Sequence, residues 1–254
     1  MAEHDKQSKR RAIFTSGFLA FALLWTLSCL TFLPTVSADG HNDHHSSAPL
    51  DPKQQAKILA DKQESEMNHH IAGFLVVLAG IFIWMQPRLE VRWPWVKYAW
   101  PACFLIAGLF VLAWSDTELW PWGPKSWLTQ LRTDREVLQH KTFAILLLGL
   151  GFIDWRRAQG KLKAAWSGWA FPVVAIVGSI ILIFHEHAGG TVGEHHTETM
   201  ALIQSEHTSY MVCGLGIGIS KGLGQLKSSA GRFFDGLWPL LMVVVGAMLM
   251  FYRE

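Results

Sequence analysis

The stretch from His70 to Gln86 reads HIAGFLVVLAGIFIWMQ and contains no Asp, Glu, Lys or Arg. About 20 mostly apolar helical residues cross the hydrocarbon core of a bilayer, so this stretch predicts a membrane-spanning helix. Half of the residues in the chain are hydrophobic, and most of them fall into similar runs. We therefore predict an all-α, polytopic membrane bundle with six spans, at residues 70–86, 98–115, 140–154, 166–184, 207–221 and 233–252.

The charges of the connecting loops predict the orientation of these spans. The loops 87–97, 155–165 and 221–232 are rich in Lys and Arg, and Glu90 is their only acid. Short basic loops stay on the cytoplasmic side of a membrane. The opposite loops are acidic or balanced, so the sequence predicts a multi-pass protein of the inner (cytoplasmic) membrane with those loops outside the cytoplasm.

The N-terminal residues predict export of the segment that follows them. Residues 1–38 contain a basic start, an apolar run and the small residues Ser37 and Ala38, which is typical of a cleaved signal peptide or an uncleaved anchor helix. Residues 39–68 then form an exported tail that contains histidines. Residues 69–254 form the six-helix membrane domain.

The histidines are placed unevenly in this topology, because all twelve except His4 fall on its outer side. His70, His140 and His207 each stand at the start of an inward-running span and recur about every 70 residues, which indicates three helical-hairpin repeats. If these three spans are neighbours, the imidazoles meet at the outer rim as a three-nitrogen metal site. Glycines deeper in the same spans predict close helix packing; they include Gly80, Gly149, Gly151, Gly214 and Gly218.

Further metal donors surround these three histidines. The region from 184 to 207 contains five of the twelve histidines and no Lys or Arg. The additional candidate metal ligands are His69, His185, His187, His195, His196 and Met211. The candidate carboxylates for orienting the imidazoles are Glu66, Glu136, Glu186 and Glu206. Thioether next to imidazole favours copper, especially Cu(I), over harder cations.

A histidine-rich exported bundle with the loop His185-Glu-His-Ala-Gly-Gly190 and nearby methionines resembles the copper-resistance D type of inner-membrane protein. The likeness spans about residues 66 to 254. The resemblance implies copper handling, transfer or resistance at the periplasmic face. It implies a periplasmic copper-carrying protein or a membrane complex as the partner, in addition to the lipid bilayer.

Three other functions stay open on the residues alone. A membrane-embedded zinc hydrolase would use three histidines, with Glu186 or Glu206 as general base. A carrier of a single b-type haem would use two facing histidines, such as His140 and His207. An accessory subunit of a larger membrane complex would need no metal. We expect metal binding rather than catalysis. We expect no binding of nucleic acid, because there is no P-loop and the basic residues outside the short N-terminal segment are interpreted as topological anchors.

Overall fold

A computed structural model describes residues 51–183, 195–226 and 229–253. The predicted signal or anchor at 1–38, residues 39–50 of the predicted tail, and His185, Glu186 and His187 lie outside these residues. His195 and His196 begin a helix, but their side chains also lie outside the described part of the chain.

The described residues contain helices and no β-strand, which confirms the predicted all-α class. The α-helices are α1 Pro52–Leu89, α2 Ala99–Trp114, α3 Trp127–Thr133, α4 Arg135–Ala158, α5 Ala170–Ile183, α6 His195–Gly224 and α7 Ser229–Met250. Short 3-10 helices, Pro94–Tyr98 and Ala165–Gly168, lead into α2 and α5.

Two helices begin well before the apolar residues that they carry. The Asp51 carboxylate caps α1 by accepting a hydrogen bond from the backbone N–H of Lys53, next to a proline in the first turn. The Asp134 carboxylate caps α4 by accepting from the N–H of Val137 at 3.2 Å. Both helices therefore extend beyond the predicted spans, and α1 continues without a break from the predicted tail into the first span.

In the described residues, four helical regions are long and apolar enough to cross a membrane: Pro52–Leu89, Pro94–Trp114, Arg135–Ala158 and Ala230–Met250. The apolar helix Ala170–Leu182 is shorter than these. The described part of the chain thus has the composition of a multi-pass membrane protein in contact with lipid.

Six of these helices, all except the short α3, form a closed ring of antiparallel neighbours. α1 packs against α7 and α2, α2 against α4, α4 against α5, α5 against α6, and α6 against α7. In this order α1, α4 and α6 alternate with α2, α5 and α7. The condition that α1, α4 and α6 are direct neighbours is not met in the described residues, because α2, α5 or α7 lies between each pair of them in the ring.

The core of the ring is filled by side chains from all six of these helices. Its buried members are Ala79, Cys103, Phe104, Leu150, Phe171, Ile217, Leu237, Trp238, Leu241 and Met242. The Phe171 ring lies 5.8 Å from that of Phe104 and 4.9 Å from that of Trp238, centroid to centroid. These aromatic rings lie in the half of the bundle where α2, α5 and α7 begin.

Glycines permit the closest helix crossings. A Cβ added at Gly73 of α1 would lie 2.6 Å from the carbonyl oxygen of Gly246 in α7, so the two backbones touch there. The predicted packing role of glycine is confirmed at Gly80, Gly151, Gly214 and Gly218, where an added Cβ would also collide with a neighbouring helix. It is wrong for Gly149, which has nothing within 4 Å of that position.

The bundle has two ends, which we call upper and lower. The upper end carries the start of α1, the end of α2 and the end of α7, joined by contacts of Glu64 with Thr117 and of His70 with Tyr252. The lower end carries the basic loops 87–97, 155–165 and 221–232.

Candidate functional site

The first polar cluster of the upper end, the Asp116 cluster, lies where α2 ends and α4 begins. It consists of Ser115, Asp116, His140 and Lys141. Lys141 Nζ lies 2.6 Å from Asp116 Oδ2, and Ser115 Oγ donates to the same oxygen at 2.6 Å. His140 Nδ1 lies 3.0 Å from Asp116 Oδ1. Donors from both helices therefore converge on one carboxylate.

Lys141 is a buried cation within a predicted span. Its side chain is 5% exposed, and that of Asp116 is 10% exposed. Lys141 Nζ also donates to the carbonyl of Leu112 at 3.0 Å and lies 5.1 Å from the ring centroid of Trp127. The carbonyls at the end of α2 carry the negative pole of that helix and attract a cation. The ammonium group is therefore stabilised by charge, hydrogen bonds and an aromatic face together.

The hydrogen bonds of Asp116 keep its carboxylate ionised. Burial by itself would raise the pKa of Asp116. The hydrogen bond and charge of His140, with the hydrogen bonds of Lys141 and Ser115, outweigh burial and lower this pKa to about 2. Asp116 is thus an anion at every physiological pH, and it holds the His140 ring through Nδ1.

The outer part of α1 contacts the loop that carries Asp116. Glu64 accepts a hydrogen bond from Thr117 Oγ1 at 2.9 Å, and its other oxygen lies 3.4 Å from the Thr117 N–H. Glu118 pairs with Lys57 and with Lys125. The hydrogen bond from Lys125, opposed by partial burial and helped by Lys57, lowers the pKa of Glu118. Residues of the predicted tail therefore pack as part of the bundle.

The second cluster, the Tyr252 cluster, consists of His69, His70, His207, Tyr210 and Tyr252. The His69 and Tyr252 rings stack with centroids 4.0 Å apart. The His207 ring stands edge-on to His69, with centroids 6.2 Å apart, and contacts the rings of Tyr210 and Tyr252. The first and last spans and α6 thus bring two imidazoles and two phenol rings together.

Hydrogen bonds to backbone carbonyls set the tautomers of two histidines. His70 Nε2 lies 3.0 Å from the carbonyl oxygen of Tyr252, and His69 Nδ1 lies 2.8 Å from that of Ser65. A carbonyl oxygen can only accept, so the proton of each neutral ring is on the bonded nitrogen. The lone pair of His69 is then on Nε2, and that of His70 is on Nδ1.

The two members of the Tyr252 cluster on α6 are buried: His207 is 3% exposed, and Tyr210 is buried as well. Tyr252, just after the end of α7, is also buried. The Tyr210 hydroxyl is hydrogen-bonded to Glu206, which lies one helical turn earlier on α6. A carboxylate predicted to orient an imidazole therefore lies beside His207 and bonds a tyrosine of the same cluster.

The structure brings together only part of the predicted ligand set. His69 and His207 are in ring contact, His70 is bonded to Tyr252, and His140 belongs to the Asp116 cluster. Glu66 and Glu136 lie one turn before His70 and His140, and Met211 one turn after His207. Among the described residues, no group of three or more His, Cys, Asp and Glu side chains is placed to hold a metal ion.

Sequence reasoning missed Asp116, Lys141 and Tyr252. A usable signal for Lys141 was present, because it is a lysine inside the apolar segment 140–154, and an ionisable group there needs a partner. Its partner Asp116 is too far away along the chain to be identified by local pattern. Tyr252 gave no signal, since a tyrosine at the end of a span also suits the membrane interface.

Comparison of the chain with models of protein families, with curated proteins and with solved structures found no match.

Proposed function

We propose that the chain is a copper-binding protein of the inner membrane, with six spans in three hairpins and the upper end outside the cytoplasm. The four long apolar helices and the two further helices of the ring support six spans. The basic loops of the lower end support the orientation, since such loops remain in the cytoplasm. The described histidines then all face the periplasm.

The observation that carries the copper proposal is the ring contact of His69 with His207, both of which also contact the Tyr252 ring. His69 directly precedes the first predicted span, and His207 lies in α6, which begins at the end of the histidine-rich stretch 184–196. Neutral imidazoles suit copper and zinc, and thioethers add a preference for Cu(I). We assign His69 and His207 as ligands, with the remaining donors among His185, His187, His195, His196 and Met211.

The spacing of the two rings is compatible with a shared ion. Two imidazoles bound through nitrogens at ~2.0–2.1 Å from a metal have ring centroids at most about 6.5 Å apart. The centroids of His69 and His207 are 6.2 Å apart, which is within that limit. The Nε2 lone pair of His69 follows from its bond to Ser65.

Binding and release on one side of the membrane is the best-supported mode of action. The core below the upper clusters is closely packed around the rings of Phe104, Phe171 and Trp238, which lie 4.9–5.8 Å apart, centroid to centroid, along the chain of contacts through Phe171. The copper site is at the upper end, within reach of a periplasmic copper-carrying protein or of a membrane complex. We therefore propose copper handling or transfer, in support of copper resistance, rather than pumping or hydrolysis.

A Cu(I) competition titration tests this function. The purified full-length protein is titrated against a chromophoric Cu(I) chelator, and its metal content is measured by mass spectrometry. We expect the His69→Ala and His207→Ala variants to lose copper affinity by more than roughly tenfold. His140→Ala, a matched imidazole loss in the Asp116 cluster, is expected to retain it.

The same samples separate the alternatives. Stoichiometric zinc together with hydrolase activity would support the zinc-hydrolase function instead of copper binding. A Soret band in the visible spectrum would support the haem carrier instead. Absence of bound metal under every loading condition would leave a role as an accessory subunit of a larger membrane complex as the remaining function. Equal losses in His140→Ala and His207→Ala would contradict the assignment of the site to the Tyr252 cluster.

A further inference from the structure

The lower end carries an open, mostly polar pocket that the copper proposal does not use. Its volume is about 400 Å³, and its lining includes Arg157, Leu162, Lys163, Ser167, Gly168 and Gln225. The pocket lies between the end of α4, the 3-10 helix Ala165–Gly168 and the end of α6. Its lining residues thus come from three separate elements.

A buried carboxylate fixes one cation of this pocket. Arg157 Nη1 donates to Asp154 Oδ1 at 2.8 Å, and the Asp154 side chain is 1% exposed whereas that of Arg157 is 38% exposed. A guanidinium group has five N–H donors in a planar fork. One edge of Arg157 is thus held by the protein, and the rest of the group is presented to the pocket.

The opposite wall is fixed by an amide. Gln225 Nε2 donates to the carbonyl of Gly168 at 3.0 Å, which ties the end of α6 to the 3-10 helix. The Gln225 amide lies directly against Gly168, since an added Cβ at that glycine would be 2.9 Å from Gln225 Oε1. Lys163 adds a second cation, and none of the described residues that line the pocket is acidic.

The surroundings indicate where the ligand comes from. Residues 155–169 contain four basic residues, Arg156, Arg157, Lys161 and Lys163, and no acid. Trp166 and Trp169 in the same stretch are exposed, as is typical of residues at the membrane interface. Basic pockets between membrane helices at this level suit anionic lipid headgroups.

We propose that this pocket binds the phosphate group of an anionic phospholipid, with Arg157 and Lys163 as its cations. Arginine matches phosphate oxygens through its fork, and lysine adds a point charge. Binding joins the ends of α4 and α6 through one headgroup. The site is independent of the copper site, since it lies at the opposite end of the bundle.

Native mass spectrometry of the full-length protein tests the proposal. Phosphatidylglycerol is titrated against phosphatidylcholine as the neutral comparison, with inorganic phosphate as a competitor. We expect a preference for phosphatidylglycerol that falls about fivefold in Lys163→Gln and is restored in Lys163→Arg. Lys161→Gln removes an exposed charge of the same loop that does not line the pocket, and it is expected to leave binding unchanged.

Three results would overturn the proposal. They are equal losses in Lys161→Gln and Lys163→Gln, which would indicate a diffuse surface charge; equal binding of both lipids; and retention of inorganic phosphate without any lipid preference. The side chain of Lys163 is exposed, so its substitution is not expected to unfold the protein. Thermal unfolding of each variant checks this point.

Discussion

Asp116 accepts hydrogen bonds from side chains of three residues, and two of them, His140 and Lys141, belong to a different helix. The Asp116 cluster thereby joins the end of α2 to the start of α4. The partial burial of these charges makes each of them dependent on the others. Removing one partner of a buried ion pair costs more than the pair contributes, because the remaining charge stays buried without compensation.

Asp116→Asn is therefore expected to destabilise the protein. It leaves the buried Lys141 ammonium without its counter-charge, at a cost of roughly 3–5 kcal/mol in the free energy of unfolding. Glu118→Gln, in an exposed ion pair of the same loop, is the control and is expected to cost less than about 1 kcal/mol. Denaturant titration in detergent measures both, and equal losses would contradict the importance of the buried cluster.

The lowered pKa of Asp116 gives a dependence of stability on pH. A carboxyl group whose pKa is lower in the folded state contributes stability above its ordinary pKa of about 3.9 and loses it as pH falls. The folded-state pKa of Asp116 is about 2. Between about pH 4 and pH 2, we expect wild-type stability to fall more steeply than that of Asp116→Asn. Parallel curves for the two proteins would refute this contribution.

At the scale of elements, the crossing of α1 and α7 is the closest approach that can be tested cleanly. A Cβ added at Gly246 would lie 2.7 Å from the backbone nitrogen of Val77 and 2.8 Å from the carbonyl oxygen of Gly73. Both obstacles are backbone atoms, which cannot rotate away. The two helices would have to separate to accept even one methyl group.

We accordingly expect Gly246→Ala to cost about 1–3 kcal/mol in the free energy of unfolding. The same substitution at Gly149 meets nothing within 4 Å, and alanine is the better helix former, so Gly149→Ala is expected to be neutral or to stabilise by up to about 1 kcal/mol. Thermal unfolding in one detergent compares them. A similar effect of both substitutions would show that helix propensity, not close packing, decides.

At the scale of the whole molecule, the sequence predicted the helices but not their arrangement. Apolar runs identify spans because the bilayer requires them locally. The faces of a span are not distinguished in this way, since lipid and core are both apolar. Phe74 and Phe104 both lie in apolar runs, yet Phe74 is half exposed and Phe104 is buried. The alternation of α1, α4 and α6 with their partners could not be predicted for the same reason.

In the candidate site, too, the sequence predicted where residues lie along the helices but not which of them are in contact. Histidines at the starts of spans were predicted to lie at one end, and the contact of His69 with His207 is the part that the described residues bring together. The bond between His140 and Asp116 joins residues 24 positions apart. A pattern of spacing within single helices contains no information on such a contact.

The proposed orientation is tested by cysteine labelling in a variant in which Cys29, Cys103 and Cys213 are replaced by Ser or Ala. Ser126→Cys at the upper end is expected to react with a membrane-impermeant maleimide in intact spheroplasts. Gln159→Cys at the lower end is expected to react only after permeabilisation. Both positions are exposed, so that access from the two sides decides the result. Reversed labelling would invert the topology.

X-ray absorption spectroscopy of the Cu(I)-loaded, full-length protein tests the central claim most directly. If His69 and His207 share the ion, the spectrum of the wild type contains scattering from at least two imidazole rings. We predict that His69→Ala and His207→Ala each remove one ring from that spectrum, while His140→Ala leaves it unchanged. A copper environment without imidazole, or one that loses a ring only in His140→Ala, would contradict the account.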